Sequence, residues 1–277
     1  MPQKETQFSS ADWRRRFQQQ ATWTRSLRQY LLPRAGLHSC ARLLEVGCGP
    51  GAILDEITLQ TAEIESQPAW VEPCERLRFF GLDIRLDYLH EYTRQNPAAF
   101  LEQADAHHLP FADNCFDLVI CHYLLLWIAD PLQVLKEMQR VCAPGGFVLA
   151  LAEPDYGGRI DYPETLGELG RLQRQALAAQ GADTEIGRKL GGLFSRAGLQ
   201  EIETGVLGGQ WRGAPTTNEW ELEWQVLAND LGELITQDQL DRLKEADYQA
   251  YQSNSRTLFV PTFYAWGKKI DDKTKLT

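Results

Sequence analysis

Apolar and polar positions follow two rhythms along this chain. Between residues 10 and 32, Trp13, Phe17, Ala21, Trp23 and Leu27 recur at helical spacing, with Ser10 as N-cap and Pro33 as the stop. Four apolar runs then predict strands at residues 41–46, 77–84, 116–123 and 147–152, the last preceded by the turn Pro144-Gly145-Gly146. Helical stretches separate them, including 131–141, where Leu132, Leu135 and Met138 mark the buried face. Strands alternating with helices predict an α/β fold: a Rossmann-like, doubly wound, mostly parallel sheet covered on both faces. Two further strands, at 201–211 and 256–266, predict a C-terminal antiparallel pair, separated by a charged, Trp-bearing helical segment at 218–251. The organisation that follows is an N-terminal helical lid (1–36), a main domain (37–268) with a helical insertion at about 212–255, and a polar tail (269–277) that frays.

Composition narrows the classes. With 277 residues and 43% hydrophobic content, the chain can bury a sizeable core. Its net charge of −10 argues against a duplex nucleic-acid partner, whose phosphates are met by clustered Lys and Arg. Arg14-Arg15-Arg16 is read as a solvated helix face. The six cysteines form no CxxC pair, which suits reduced thiols and neither a zinc site nor a disulfide framework. No metal ligand set is expected. No apolar run is long enough to span a bilayer, so the expectation is a cytoplasmic protein without a membrane partner. The sequence leaves oligomeric state open.

In open α/β sheets the ligand lies beyond the carboxyl ends of the strands. The first predicted strand runs straight into Gly47-Cys48-Gly49-Pro50-Gly51. Glycines there accept positive φ and let backbone approach a ligand, while the helix that follows begins with free N–H groups. Counting Ala52, the loop also satisfies the dinucleotide pattern G-x-G-x-x-G/A, so an NAD(P)-dependent oxidoreductase is one reading. Three details favour S-adenosylmethionine (SAM). Glu45 would repel a pyrophosphate but suits the cationic methionine end. Pro50 removes an N–H that an anion could use. Asp83 follows Gly51 by 32 positions, where a dinucleotide site expects its ribose acid about 20 on. The stretch 60–76 reads as a surface insertion.

With these residues in view, the chain resembles a class I SAM-dependent methyltransferase of the small-molecule type, similar to the ubiquinone/menaquinone-biosynthesis methyltransferases. The resemblance runs in order through residues 40–155 and more loosely through 186–268. It implies that Glu45, Gly47, Cys48, Gly49 and Gly51 line the methionine part of SAM. It also implies that Asp83 takes the ribose hydroxyls with Ile84 beside it, and that Asp105-Ala106 read the adenine. Phe116-Asp117-Leu118-Val119-Ile120 matches the fourth-strand motif. The implied products are methylated acceptor and S-adenosylhomocysteine.

Methyl transfer from a sulfonium is an in-line displacement, so a pocket that holds the acceptor can suffice. His122, directly after the fourth strand, is the candidate general base and a further cofactor-lining residue. Against this stands a histidine merely hydrogen-bonded at the sheet edge. Asp155 and Tyr156, in Glu153-Pro154-Asp155-Tyr156-Gly157-Gly158-Arg159, are the acceptor-side candidates. The supply of tryptophan, with Trp13 and Phe17 in one lid and Trp220 and Trp224 in the other, suggests a partly apolar or aromatic small-molecule acceptor. The expected activity is methyl transfer to an O, N or C nucleophile; a non-catalytic SAM-binding module is the other rival.

Overall fold

The computed structural model of the protein describes residues 10–65, 77–95, 99–206, 215–232 and 234–271. Its centre is a seven-stranded sheet in the order β3-β2-β1-β4-β5-β9-β7. The strands are β1 (Arg42–Val46), β2 (Arg78–Asp83), β3 (Phe100–Gln103), β4 (Phe116–Cys121), β5 (Cys142–Pro154), β7 (Gln200–Val206) and β9 (Thr262–Lys268). β1 to β5 run parallel, and β9 lies antiparallel between β5 and β7. The predicted Rossmann-like sheet with its C-terminal antiparallel pair is therefore present. Short β3, only half-buried at best, was not anticipated from the pattern.

Parallel strands with both faces covered are buried along their length, and β1 and β4 are so, each with one acid, Glu45 and Asp117, among apolar residues. Leu44, Val46 and Val119 feed one side of the sheet, and Leu43, Leu118 and Ile120 feed the other. Helices α3 (Ala52–Glu65) and α4 (Leu86–Gln95) follow β1 and β2. Helix α5 (Pro131–Val141) starts as its sequence asks, with Asp130 accepting from the Gln133 N–H and Pro131 at the first helical position. Asp117 uses one carboxylate oxygen to hold the N–H groups of Ala41 and Arg42, at 2.8 and 2.9 Å. It thereby fixes the start of β1 against β4.

Three expectations need correction. The single helix expected over 10–32 is two, α1 (Ser10–Trp23) and α2 (Arg25–Arg34). Thr24 leaves helical geometry between them, and Pro33 lies inside the last turn of α2, not beyond it. The strand expected at 256–266 is also two: β8 (Thr257–Phe259) leaves the main sheet to pair with β6 (Ile160–Tyr162), and β9 begins only after it. Finally, the expected fraying is wrong at its start. Lys268 closes β9, and the Lys269 ammonium caps Asn114 Oδ1 and the carbonyls of Arg140 and Cys142. Residues 207–211 of an expected strand, 66–76 of the insertion and 272–277 of the tail lie outside the described residues.

The inserted helices α8 (Thr217–Leu231) and α9 (Gln237–Gln252) join α6 (Gly167–Ala179) around a small core of their own. Each inserted helix opens with a reciprocal capping box, Thr216 with Glu219 and Thr236 with Gln239. Helix α7 (Leu190–Arg196) packs on β7 and β9. Among the described residues no helix is long and apolar enough to cross a membrane. Cys48, Cys115, Cys121 and Cys142 are free thiols, while Cys74 lies outside the described residues.

Candidate active site at the carboxyl ends of β1, β2, β4 and β5

The glycine loop is forced by sterics at two points. At Gly51, with φ +81°, a Cβ would fall on the ring of Tyr92. At Gly47, with φ +75°, it would stand 2.7 Å from Leu124 Cδ1. An L side chain is excluded at both by conformation and by space. The loop is tied to β2 as well: Gly47 and Cys48 N–H donate to the Leu82 carbonyl, and Gly49 N–H donates to Asp83 Oδ2 at 2.8 Å. Phe17 of α1 lies over Gly49, so the N-terminal lid packs directly on the loop.

Asp83 stands at the end of β2, its other oxygen accepting the Arg85 N–H at 2.9 Å. Burial raises its pKa against the pull of these two N–H groups. Each oxygen keeps a second lone pair, which is what a vicinal diol requires. Ile84, next along, is 66% exposed, an apolar surface free to be covered by a ligand's base. Asp105 and buried Ala106 lie past β3. Asp105 Oδ1 accepts from the backbone N–H and the ring Nδ1–H of His107, at 2.9 and 2.7 Å, and these bonds lower its pKa.

Glu45 is the most informative residue. It is 1% exposed, and its Oε2 is a buried oxygen with no hydrogen-bond partner among the described residues. The Leu54 N–H, in the first turn of α3, supports the carboxyl from the other side. Burial pushes its pKa well above the usual carboxylate range, with the Arg28 guanidinium pulling the other way. An unpaired buried acceptor is costly unless something occupies it. A cationic ligand group facing the glycine loop meets that need. By this test the residues present fit SAM.

His122 does not stand free at the end of β4. Its Nε2 lies 2.8 Å from the Thr24 hydroxyl, at the break between α1 and α2. The same hydroxyl accepts from Arg28, a fully buried residue that also ion-pairs with Glu56 of α3. Desolvation, then the Arg28 charge, hold His122 well below its normal pKa, so it is neutral. Arg28, Thr24 and Glu56 carried no signal in the sequence, because a buried arginine looks like any helical arginine until its partner helix is placed.

At the end of β5, Glu153 is fully buried. Its two oxygens collect the N–H groups of Leu124, Leu125 and Leu126, at 3.0, 2.9 and 3.2 Å. It thereby seats Leu124 against Gly47. Asp155 is also consumed locally: it caps the Gly158 N–H and ion-pairs with Arg188 through both oxygens. That geometry makes Asp155 the brace of the 155–158 turn, and nothing brings it to His122. Tyr156 is half-buried and lines a hollow of about 460 Å³ with Arg159, Asp161, Arg171 and Arg174. The Arg16 guanidinium of α1 faces Tyr156 and Tyr123 and bonds Glu223 of α8, joining the two lids. Tyr123 itself holds φ +50°, an uncommon conformation for an aromatic residue and a mark of a constrained site. Trp220 and Trp224 are not available to a ligand in the expected way, since both indole N–H groups donate to Asp247 inside the lid's own core. Among the described residues no three His, Cys, Asp or Glu side chains converge as metal ligands.

A glycine loop of this geometry at the switch point of a Rossmann-like sheet, followed by an acid at the end of β2, is an arrangement suited to a nucleoside cofactor. Comparison with known proteins narrows the kind. Residues 44–150 match the family model described as a methyltransferase domain. An uncharacterized methyltransferase of Schizosaccharomyces pombe is 32% identical over 160 residues, 54% of each chain. The demethylmenaquinone methyltransferase of Lysinibacillus sphaericus is 28% identical over 208 residues, 67% of this chain and 80% of that one. A SAM-dependent methyltransferase of Thermotoga maritima shares the fold at 14% identity, with TM-score 0.55 over 94% of this chain and 95% of that one. Residues 44–150 are thus similar to a methyltransferase domain, in a chain that shares the fold of SAM-dependent methyltransferases. It spans about half the length of the yeast relative.

Proposed function

We propose that the protein transfers the methyl group of SAM to a small-molecule O, N or C nucleophile by in-line displacement. The observation that carries this is the unpartnered, buried Oε2 of Glu45, two residues before a glycine loop in which a Cβ at Gly47 or Gly51 would collide with Leu124 or Tyr92. In this reading Glu45 takes the α-ammonium, with Gly47, Cys48, Gly49 and Gly51 around the methionine chain. Asp83 takes the ribose hydroxyls, and Ile84, Asp105 and Ala106 hold the adenine. Bound there, SAM supplies an electrophilic methyl on a sulfonium. The protein's part is to align the acceptor and exclude water, because holding reacting atoms in line removes most of the entropic cost of their meeting. Phe17 over Gly49 and the Arg16–Glu223 bridge close the lids over this space.

The acceptor enters, in this proposal, beside Tyr123 and Tyr156 at the ends of β4 and β5. Two phenols and a guanidinium favour an acceptor that carries a polar group on a partly apolar body. Asp155 braces that wall through Arg188. His122 is a weak proton acceptor at its depressed pKa, and we assign it to positioning: it pins Thr24 and hence the hinge of the N-terminal lid.

Calorimetry tests the cofactor: S-adenosylhomocysteine binds, NAD(P) does not, and Asp83→Ala abolishes the heat. Transfer of labelled methyl from SAM across a metabolite panel then tests the activity. No turnover with any acceptor, despite tight cofactor binding, would favour a non-catalytic SAM-binding module. For His122, His122→Ala should leave the shape of the pH–rate profile unchanged between about pH 6 and 9 while weakening cofactor binding. Loss of a titrating limb would instead restore it as the base.

A further inference from the structure

Glu45 has a second property, which rests on the reading that SAM occupies this site. The charged and titratable groups around it come from five elements: Arg28 of α2, Asp55 of α3, Asp83 of β2, Tyr92 of α4 and Cys121 of β4, together with Cys48 of the loop itself. Arg28 is the sole cation among them, and its charge is already committed. Its Nε and Nη2 donate to Glu56, Nη1 donates to Thr24 Oγ1, and Nη2 also reaches the Ala21 carbonyl. His122, which is neutral, shares the Thr24 hydroxyl with Arg28. Glu45 thus faces two further carboxylates with one N–H for support and one oxygen bare.

We propose that Glu45 couples cofactor binding to proton release: the carboxyl gives up its proton to solvent as the α-ammonium of the methionine end comes to rest against Oε2. The balance is simple. A neutral carboxyl and a ligand ammonium become a carboxylate–ammonium pair plus one proton in the buffer. An adjacent cation favours the ionised acid, as Arg28 alone does not suffice to do while Glu56 holds it. By linkage, affinity for the ammonium-bearing ligand rises with pH, by up to about tenfold per pH unit below neutrality, until the free carboxyl is itself ionised. Among the described residues no donor reaches that oxygen, so the ligand ammonium is the partner through which this gain is made.

The test is titration calorimetry of the intact protein with S-adenosylhomocysteine at pH 6.5, in phosphate and in imidazole. These buffers differ widely in heat of ionisation, so the difference in observed heat counts protons. The ligand's own amine stays charged at this pH, since even a peptide α-amino group, less basic than a free amino acid's, titrates at about 7.7–8.0. Release of most of one proton is expected. The same titration with 5′-methylthioadenosine, which keeps the adenosine and lacks the ammonium, should release none. Glu45→Gln should lose the proton release while keeping affinity for 5′-methylthioadenosine. Equal heats in both buffers for wild-type protein with S-adenosylhomocysteine would overturn the coupling while leaving the cofactor assignment standing. Equal proton release by both ligands, or release that persists in Glu45→Gln, would also overturn it. Binding of neither adenosyl ligand would instead remove the functional reading on which the coupling rests. Because the two-ligand comparison uses wild-type protein, the test survives a variant that folds poorly.

Discussion

The carboxyl ends of β1 and β5 each bury a glutamate, and the two are solved in opposite ways. Glu153 has three backbone N–H donors and no bare oxygen; Glu45 has one N–H and an oxygen facing nothing. Burial raises both pKa values. The satisfied acid is a scaffold that folds a loop, and the unsatisfied one is a receptor that waits for a cation. The contrast extends to their surroundings. Around Glu45 the chain is shaped by exclusion, with glycines where no Cβ fits. Beyond Glu153 it is shaped by pairing, through Arg159, Asp161, Arg256 and Asp247, all nearly buried. If the two ends are truly separate devices, each should be damaged without the other.

The largest effect comes from the pairing side. Arg256 donates to Asp247 at 2.6 Å, to Asp161 at 2.7 Å and to the Thr257 carbonyl at 2.6 Å, tying α9 to the β6–β8 ribbon. Arg256→Ala leaves Asp161 with Arg159 and Asp247 with the Trp220 and Trp224 indole N–H groups, and removing one partner of a buried pair costs about 3–5 kcal/mol. Chemical denaturation should show that loss, with faster hydrogen exchange in α8 and α9. Affinity for S-adenosylhomocysteine should stay within about twofold of wild type, as expected for a distant, independent site. A parallel collapse of cofactor affinity would mean that the lid core and the glycine loop are one cooperative unit.

Glu153 offers the next test, read through pH. Its pKa rises from the ordinary 4.5 to about 7, because desolvation outweighs its three N–H bonds. Between those values the folded protein binds more protons than the unfolded chain. Stability from this group is therefore fully present below the unfolded pKa and is lost as pH rises through about 7, a drop on the order of 3 kcal/mol. Glu153→Gln, neutral throughout, should lack that slope, so its deficit relative to wild type shrinks from pH 4.5 to pH 8. A deficit constant across this range would show that the three donors hold Glu153 ionised as easily as water does. The variant should also weaken the cofactor modestly, since Leu124 is seated on Gly47 through it.

The same contrast explains what the sequence disclosed. What is shaped by exclusion was legible: Gly47, Gly49 and Gly51 announce themselves because all three hold positive φ and a Cβ at Gly47 or Gly51 would collide, and their spacing to Glu45 and Asp83 follows the sheet. The parallel order of strands followed from apolar runs in β1, β4 and β5. What depends on pairing across long separations was not legible. Arg256 and Asp161 are 95 positions apart, and Arg28 meets Glu56 only when α2 packs on α3. Trp220 and Trp224 look like ligand-facing aromatics until Asp247 is seen beneath them. His122 looks like a free base until Thr24 is placed. Some of the lid could have been found: the pairs Thr216/Glu219 and Thr236/Gln239 are capping boxes in plain sequence and would have set the starts of α8 and α9.

The smallest effect lies where the two ends touch. Arg16 of α1 bonds Glu223 of α8, and Gln19 adds a bond to the Glu219 carbonyl, so one lid grips the other. The pair is partly screened, with Glu223 22% exposed, so its coupling energy should be about 0.5–1 kcal/mol and should fall with added salt. A double-mutant cycle on Arg16→Ala and Glu223→Ala isolates it. The two singles should not be equal. Arg16 also lies over the Trp23 ring at 4.8 Å, so its removal loses packing that the loss of Glu223 leaves in place. The more telling readout is the dissociation rate of S-adenosylhomocysteine. If the bridge holds the lids closed over the cofactor, either single variant should speed release a few-fold, and the double variant should add little. Independent, additive acceleration would mean that α1 and α8 open separately, and that the satisfied and unsatisfied ends of the sheet are roofed by two lids rather than one.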